Sequence, residues 1–258
     1  RHLYLYQVEG GAVTQLGSGE SDEYLPAWSP DGRQIAYVSK RGGDADRHLN
    51  YDIYLVEPRK GSTERRLTSF AGADLDPYWG SRPAWSPDGR RIAYLQGGED
   101  KWIYYSPWQL AIIDVATGTS KLPAPIDRCF YKPTWSPDGH TLYAGVDPAG
   151  LFMSDDRGAS WRDVPPLNEH ATRSAWEPSR GLFALHSICV DQHDPGHLVV
   201  AVSAGGVYCS FDAGASWSPA NDGVRAENRP DRFPVAGHNV HRVVMHRQHG
   251  RRLYRQCY

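Results

Sequence analysis

Short runs of alternating apolar and polar residues, each closed by a cluster of turn formers, recur along this chain. Gln34-Ile35-Ala36-Tyr37-Val38-Ser39 is one run, Arg91-Ile92-Ala93-Tyr94-Leu95 a second and Thr141-Leu142-Tyr143-Ala144 a third. Each reads as a strand with two distinct faces. Each also follows a copy of one heptapeptide. Pro26-Ala27-Trp28-Ser29-Pro30-Asp31-Gly32 recurs from Pro83 to Gly89 and, with one change, from Pro133 to Gly139, at spacings of 57 and 50 residues. Its Ser-Pro-Asp-Gly portion predicts a hairpin turn: proline fixes φ, aspartate bonds the neighbouring backbone, and glycine takes the left-handed position.

The second half carries a different signature. Ser154-Asp155-Asp156-Arg157-Gly158-Ala159-Ser160-Trp161 and Ser210-Phe211-Asp212-Ala213-Gly214-Ala215-Ser216-Trp217 both satisfy S-x-D-x-G-x-S-W, 56 residues apart. This too predicts a hairpin, with the carboxylate collecting backbone N–H groups and the tryptophan filling space between sheets. The structural residues of these boxes are Ser154, Asp156, Gly158 and Trp161, then Ser210, Asp212, Gly214 and Trp217. A turn aspartate of this kind is a cap rather than a catalytic acid.

A repeat of 50 to 57 residues holding about four short strands is the arithmetic of a β-propeller blade. Four blades parse in order, from Leu25, Arg82, Tyr131 and His186. Two strands then remain at the end of the chain, 241–247 and 251–257, and two at its start, 2–8 and 12–16. The expectation is an all-β fold, a five-bladed propeller of four-stranded antiparallel blades, its last blade closed by two N-terminal and two C-terminal strands. Residues 1–258 then form a single domain, and closure hides edges that would otherwise invite aggregation.

Composition narrows the partners. Lys+Arg 28 against Asp+Glu 30 leaves a formal charge of −2, which excludes the basic footprint of a general nucleic-acid binder. No apolar run reaches the roughly 18 residues of a membrane span, so neither nucleic acid nor membrane is expected, and the chain reads as a monomer. It begins at Arg1 without a leader, so localisation stays open. Cys129, Cys189, Cys209 and Cys257 form no C-x-x-C pair and read as free thiols. His170, His186, His238 and His241 cluster in the second half without ligand spacing, so neither a metal nor another cofactor is expected.

Two resemblances follow from these motifs. Residues 1–141 resemble the propeller of prolyl-oligopeptidase-family serine peptidases and, more broadly, TolB-type repeats, through the three Trp-Ser-Pro-Asp-Gly copies, Tyr51-Asp52-Ile53-Tyr54 and Arg66-Leu67-Thr68. Residues 142–258 resemble bacterial neuraminidase-repeat, sialidase-like propellers, through both Asp boxes and Gly205-Gly206-Val207-Tyr208. The switch falls at a strand position equivalent to that of the chain ends, which reads as an engineered chimera, with a natural hybrid as the competing origin. The peptidase resemblance implies a separate hydrolase domain, and no G-x-S-x-G elbow is present. The sialidase resemblance implies an arginine cluster, a Tyr–Glu pair and an Asp acid at the ring centre, of which the second half supplies only part.

The expectation is therefore a non-catalytic propeller, not an enzyme, serving as an engineered scaffold with no selected ligand. A natural glycan- or peptide-binding module, or a residual sialidase-like glycosidase, are the alternatives. The short turns share one face of the blades, so the long connections 41–50, 70–81, 97–108, 165–185 and 220–240 emerge on the other, around the channel mouth. Loops on a rigid scaffold are where binding residues concentrate. Candidate ligand-binding residues are Arg82, Trp102, Arg173, Trp176, His186, Arg225, Glu227 and His241, a mixture of rings and cations suited to a small anion, a glycan or a peptide.

Overall fold

In the computed structural model the described residues are 1–17, 19–77, 81–102, 105–176, 183–226 and 229–256. Glu227 and Cys257, both singled out above, lie outside them. The structure is nearly all β and divides into two compact units, Arg1–Pro125 and Ile126–Tyr258.

The first unit opens with a hairpin, β1 (Tyr4–Tyr6) and β2 (Val13–Gln15). A four-stranded antiparallel sheet follows: β3 (Glu23–Trp28), β4 (Ile35–Ser39), β5 (Asp52–Val56) and β6 (Arg65–Arg66). β4 and β5 are buried along their whole length, as strands covered on both faces must be. The hairpin docks one face on this sheet, where Leu3 and Leu16 pack with Ile35, Tyr37, Tyr54 and Val56. Its other face leaves Tyr4, Tyr6 and Val13 exposed.

The next sheet departs from the expected parse. Its leading strand is two fragments, β7 (Gly72–Asp74) and β8 (Ala84–Trp85), both paired with the long β9 (Arg91–Glu99); β10 (Gln109–Asp114) and β11 (Ser120–Lys121) complete it. Part of the connection 70–81 is thus strand, because β9 runs on through Gly97, Gly98 and Glu99 and offers a ladder to Gly72.

The second unit holds two four-stranded sheets in simple antiparallel order. One is β12 (Cys129–Trp135), β13 (Leu142–Asp147), β14 (Gly150–Ser154) and β15 (Arg162–Asp163). The other is β16 (Leu185–Val190), β17 (Leu198–Val202), β18 (Gly206–Ser210) and β19 (Ser218–Pro219). Between them lies a single turn of helix, α1 (Pro165–Asn168). A last hairpin, β20 (Arg242–His246) and β21 (His249–Gln256), packs Val243, Met245 and Leu253 against Val199, Ala201 and Val207.

β1 pairs with β2, and β20 with β21, as two-stranded sheets. No ladder joins the two hairpins among the described residues, so the expected four-stranded closing blade, and with it the count of five, is not confirmed.

The turns fold as their residues dictate. In each Ser-Pro-Asp-Gly corner the serine hydroxyl donates to the aspartate, at 2.6 Å for Ser29–Asp31, and accepts the N–H five residues on, at 2.9 Å for Gln34. Gly32, Gly89 and Gly139 all sit at φ +69°, which a side chain would strain. The two boxes close alike: Asp156 Oδ1 accepts the Ser160 N–H at 2.8 Å, and Ser154 Oγ accepts the Gly158 N–H at 2.7 Å. Hydrogen bonds from the Ser160 hydroxyl, the Ser160 N–H and the Ser154 hydroxyl hold the Asp156 pKa down to about 2, the signature of a turn acceptor rather than an acid. Trp217 is buried and donates to the Gly214 carbonyl at 3.1 Å, and Trp161 packs edge-on against Phe130. Trp28 is half exposed, unlike buried Trp135 in the same repeat position.

Candidate functional site

Irregularity concentrates in the leading strand of every four-stranded sheet. β3 slips register between Tyr24 and Ala27, with Leu25 at φ +53°. β12 slips between Tyr131 and Thr134, with Lys132 at φ +34°, and β16 slips between Leu185 and Ser187, leaving His186 as its extra residue. Such bulges redirect side chains and gather near functional sites. In the second unit β16 lies against both β12 and β20, which brings Lys132, His186 and His241 together. His186 is buried; its Nε2 lies 2.8 Å from the Val240 carbonyl and its Nδ1 3.1 Å from Ser187 Oγ. Burial lowers its pKa against the pull of the Val240 hydrogen bond, and the charges of Lys132 and His241 lower it further.

A second cationic feature sits on the connection 165–185. Arg173 lays its guanidinium over two rings, 4.5 Å from the Trp176 centroid and 5.4 Å from that of Phe183. Its Nη1 is buried and has no hydrogen-bond partner among the described residues. Burial lowers the Arg173 pKa, against the pull of the Asp163 charge and of Tyr208. The platform beneath it is fixed. Trp176 is 5% exposed, sits where any side chain at Gly205 would strike its ring, and donates its indole N–H to Tyr208 Oη at 2.6 Å. Tyr208 in turn lies 2.6 Å from Thr172 Oγ1, which lies 2.9 Å from His170 Nδ1.

Besides Glu23, the first unit buries two carboxylates that lie around Thr68. Asp74 accepts from Gln96 at 2.8 Å and Asp52 pairs with Arg66 at 2.7 Å, yet Asp74 Oδ2 and Asp52 Oδ1 are buried without a hydrogen-bond partner among the described residues. Thr68 lies beside both, its hydroxyl accepting the Ile53 N–H at 2.9 Å. Desolvation pushes Asp74 up to about 6 and raises Asp52 as well.

The sequence-predicted residues divide accordingly. Arg82 is exposed between β7 and β8, and Trp102 is exposed with Lys101 above its ring, both in the first unit. Arg173, Trp176, His186, Arg225 and His241 belong to the second, with Arg225 and His241 exposed and Trp176 and His186 buried. Glu227 lies outside the described residues. Sequence reasoning missed Lys132, Thr172 and Phe183, and it named Tyr208 only as part of a motif. Only Lys132 had a usable signal, its place before the proline of the third repeat. Among the described residues no three His, Cys, Asp or Glu side chains gather as a metal site. Cys129, Cys189 and Cys209 are free; Cys189 and Cys209 flank Val199 from its two neighbouring strands.

The chain is similar to propeller proteins of the TolB and peptidase kind. Dipeptidyl-peptidase 5 of Arthroderma otae is 28% identical over 236 residues, covering 84% of this chain and 27% of that protein. A TolB homolog of Chlorobium luteolum is 27% identical over 157 residues, covering 47% of this chain and 33% of that one. The chain thus spans about a third or less of these relatives. Among solved structures, an oligogalacturonate lyase in complex with manganese superposes with a TM-score of 0.57 at 16% identity, covering 89% of this chain and 66% of that one. TolB from Acinetobacter baumannii gives 0.52 at 19%, covering 81% and 45%. No family model matches. These relatives correct one expectation: a peptidase stands among them, so the reading of the chain as no enzyme does not hold.

Proposed function

We propose that this chain is the propeller module of a peptidase-like enzyme and that its second unit binds an anionic segment of the substrate. The observation that carries the reading is Arg173, a guanidinium laid over two rings with a buried N–H that has no hydrogen-bond partner among the described residues. A buried donor left unpaired is costly, and a guanidinium stacked on aromatic rings keeps its in-plane N–H groups directed at an acceptor. Lys132, His186 and His241 supply a second basic group in the same unit. The match to dipeptidyl-peptidase 5 across most of the chain supports a peptide as the ligand class. The mixed turn types of the β12–β15 sheet support a recombined origin for the chain.

Titration calorimetry with triglutamate and trialanine tests the reading. Triglutamate is expected to bind and trialanine to bind at least ten-fold more weakly, with Arg173→Ala reducing the triglutamate affinity by ten-fold or more. Equal affinities for the two peptides, or an unaltered Arg173→Ala protein, would overturn it.

A further inference from the structure

The proton directions in the chain beneath Arg173 are fixed by chemistry. An indole N–H can only donate, so Trp176 gives its proton to Tyr208 Oη at 2.6 Å. The Tyr208 proton then goes to Thr172 Oγ1, also at 2.6 Å, and the Thr172 proton to His170 Nδ1 at 2.9 Å. The Thr172 backbone N–H also donates to that Nδ1, at 3.2 Å. His170 Nδ1 must therefore be bare, and the ring is neutral with its proton on Nε2. We infer that His170 is a positioning residue that couples the anion site of Arg173 to pH, an inference that rests on the reading of that site given above.

A solvent proton added at Nδ1 makes His170 a donor there. The Thr172 N–H then loses its acceptor, and the Thr172 hydroxyl, now accepting from His170, is free to turn its own proton toward Tyr208. In that arrangement Tyr208 Oη accepts from Thr172 and Trp176 together, and its own proton has no acceptor left in the chain. Tyr208 is fully buried, so water cannot readily replace that partner. The strain falls on Trp176, the floor on which the Arg173 guanidinium lies. The His170 ring meets Tyr208 edge-on at 5.3 Å from β18. The other titratable groups around this turn are Glu169 next in sequence, Arg173 on the same segment and Asp163 on β15. Only His170 stands at the accepting end of the relay.

The indole N–H resonance of Trp176, assigned with Trp176→Phe, reads the relay without any ligand. Between pH 8 and 5.5 it is expected to move in step with the ring resonances of His170. His170→Asn keeps an acceptor that cannot be protonated and is expected to hold the resonance still; Tyr208→Phe is expected to displace it at every pH. A Trp176 resonance that stays fixed while His170 titrates, or that still moves in His170→Asn, overturns the relay. Triglutamate affinity over the same range is expected to fall about ten-fold on acidification, and not in His170→Asn. A moving resonance with constant affinity overturns the coupling and leaves the anion site standing. No binding of triglutamate at any pH fails the anion site, and the coupling with it.

Discussion

Asp74 shows how a single side chain can oppose the fold that contains it. Its folded pKa, about 6, lies above the ordinary carboxylate value, so the native state favours the protonated form. The stabilisation is complete below about pH 4 and is lost as pH rises through 6. Asp74→Asn keeps the acceptor for Gln96 and removes the buried charge. It is expected to raise stability at pH 7.5 by about 2 kcal/mol and to make little difference at pH 4, as urea unfolding at the two values would show; equal destabilisation at both would refute the argument. The same logic explains what sequence reading could not supply. Arg173 and Trp176 were legible as a cation and a ring on a long connection, but the orphan N–H and the Tyr208 clamp arise from burial, which residue type alone does not fix.

At the scale of the element, hairpins and turns were legible wherever their bonds are local. Each Ser-Pro-Asp-Gly corner and each box closes within eight residues, and the strands on either side fall within a few residues of the expected limits. β7 was not legible. Gly72-Ala73-Asp74 has no alternating pattern, and it becomes a strand only because β9, some twenty residues later, extends to meet it. The β1–β2 hairpin offers the clearest test of packing. It contributes two buried leucines to the core of its unit, and the Leu3 N–H donates to the buried Glu23 carboxylate at 2.7 Å. Deleting residues 1–16 is expected to cost about 4 kcal/mol or more and to expose Ile35 and Tyr54, seen as a lower melting temperature with dye binding to apolar surface. A truncated protein as stable as the full chain would show that the hairpin is ornament.

For the molecule as a whole, the charge balance makes a statement about how acids are recognised. With a formal charge of −2 there is no diffuse attraction for anions, so binding must come from a few placed groups. The affinity for triglutamate is expected to fall with salt along a shallow logarithmic slope, of magnitude about one to two; a slope of about five or steeper would mean a broad basic surface instead. The β12–β15 sheet carries a last consequence. One of its corners is a Ser-Pro-Asp-Gly turn and another is a box; each closes its principal hydrogen bonds within itself, and the two touch through the Arg157 N–H, which donates to the His140 carbonyl. Corners of that kind behave as interchangeable fittings. Replacing 154–161 with a Ser-Pro-Asp-Gly corner of matched length should leave β14 and β15 in register, and blades of unlike ancestry can then be spliced at a hairpin without renegotiating the core.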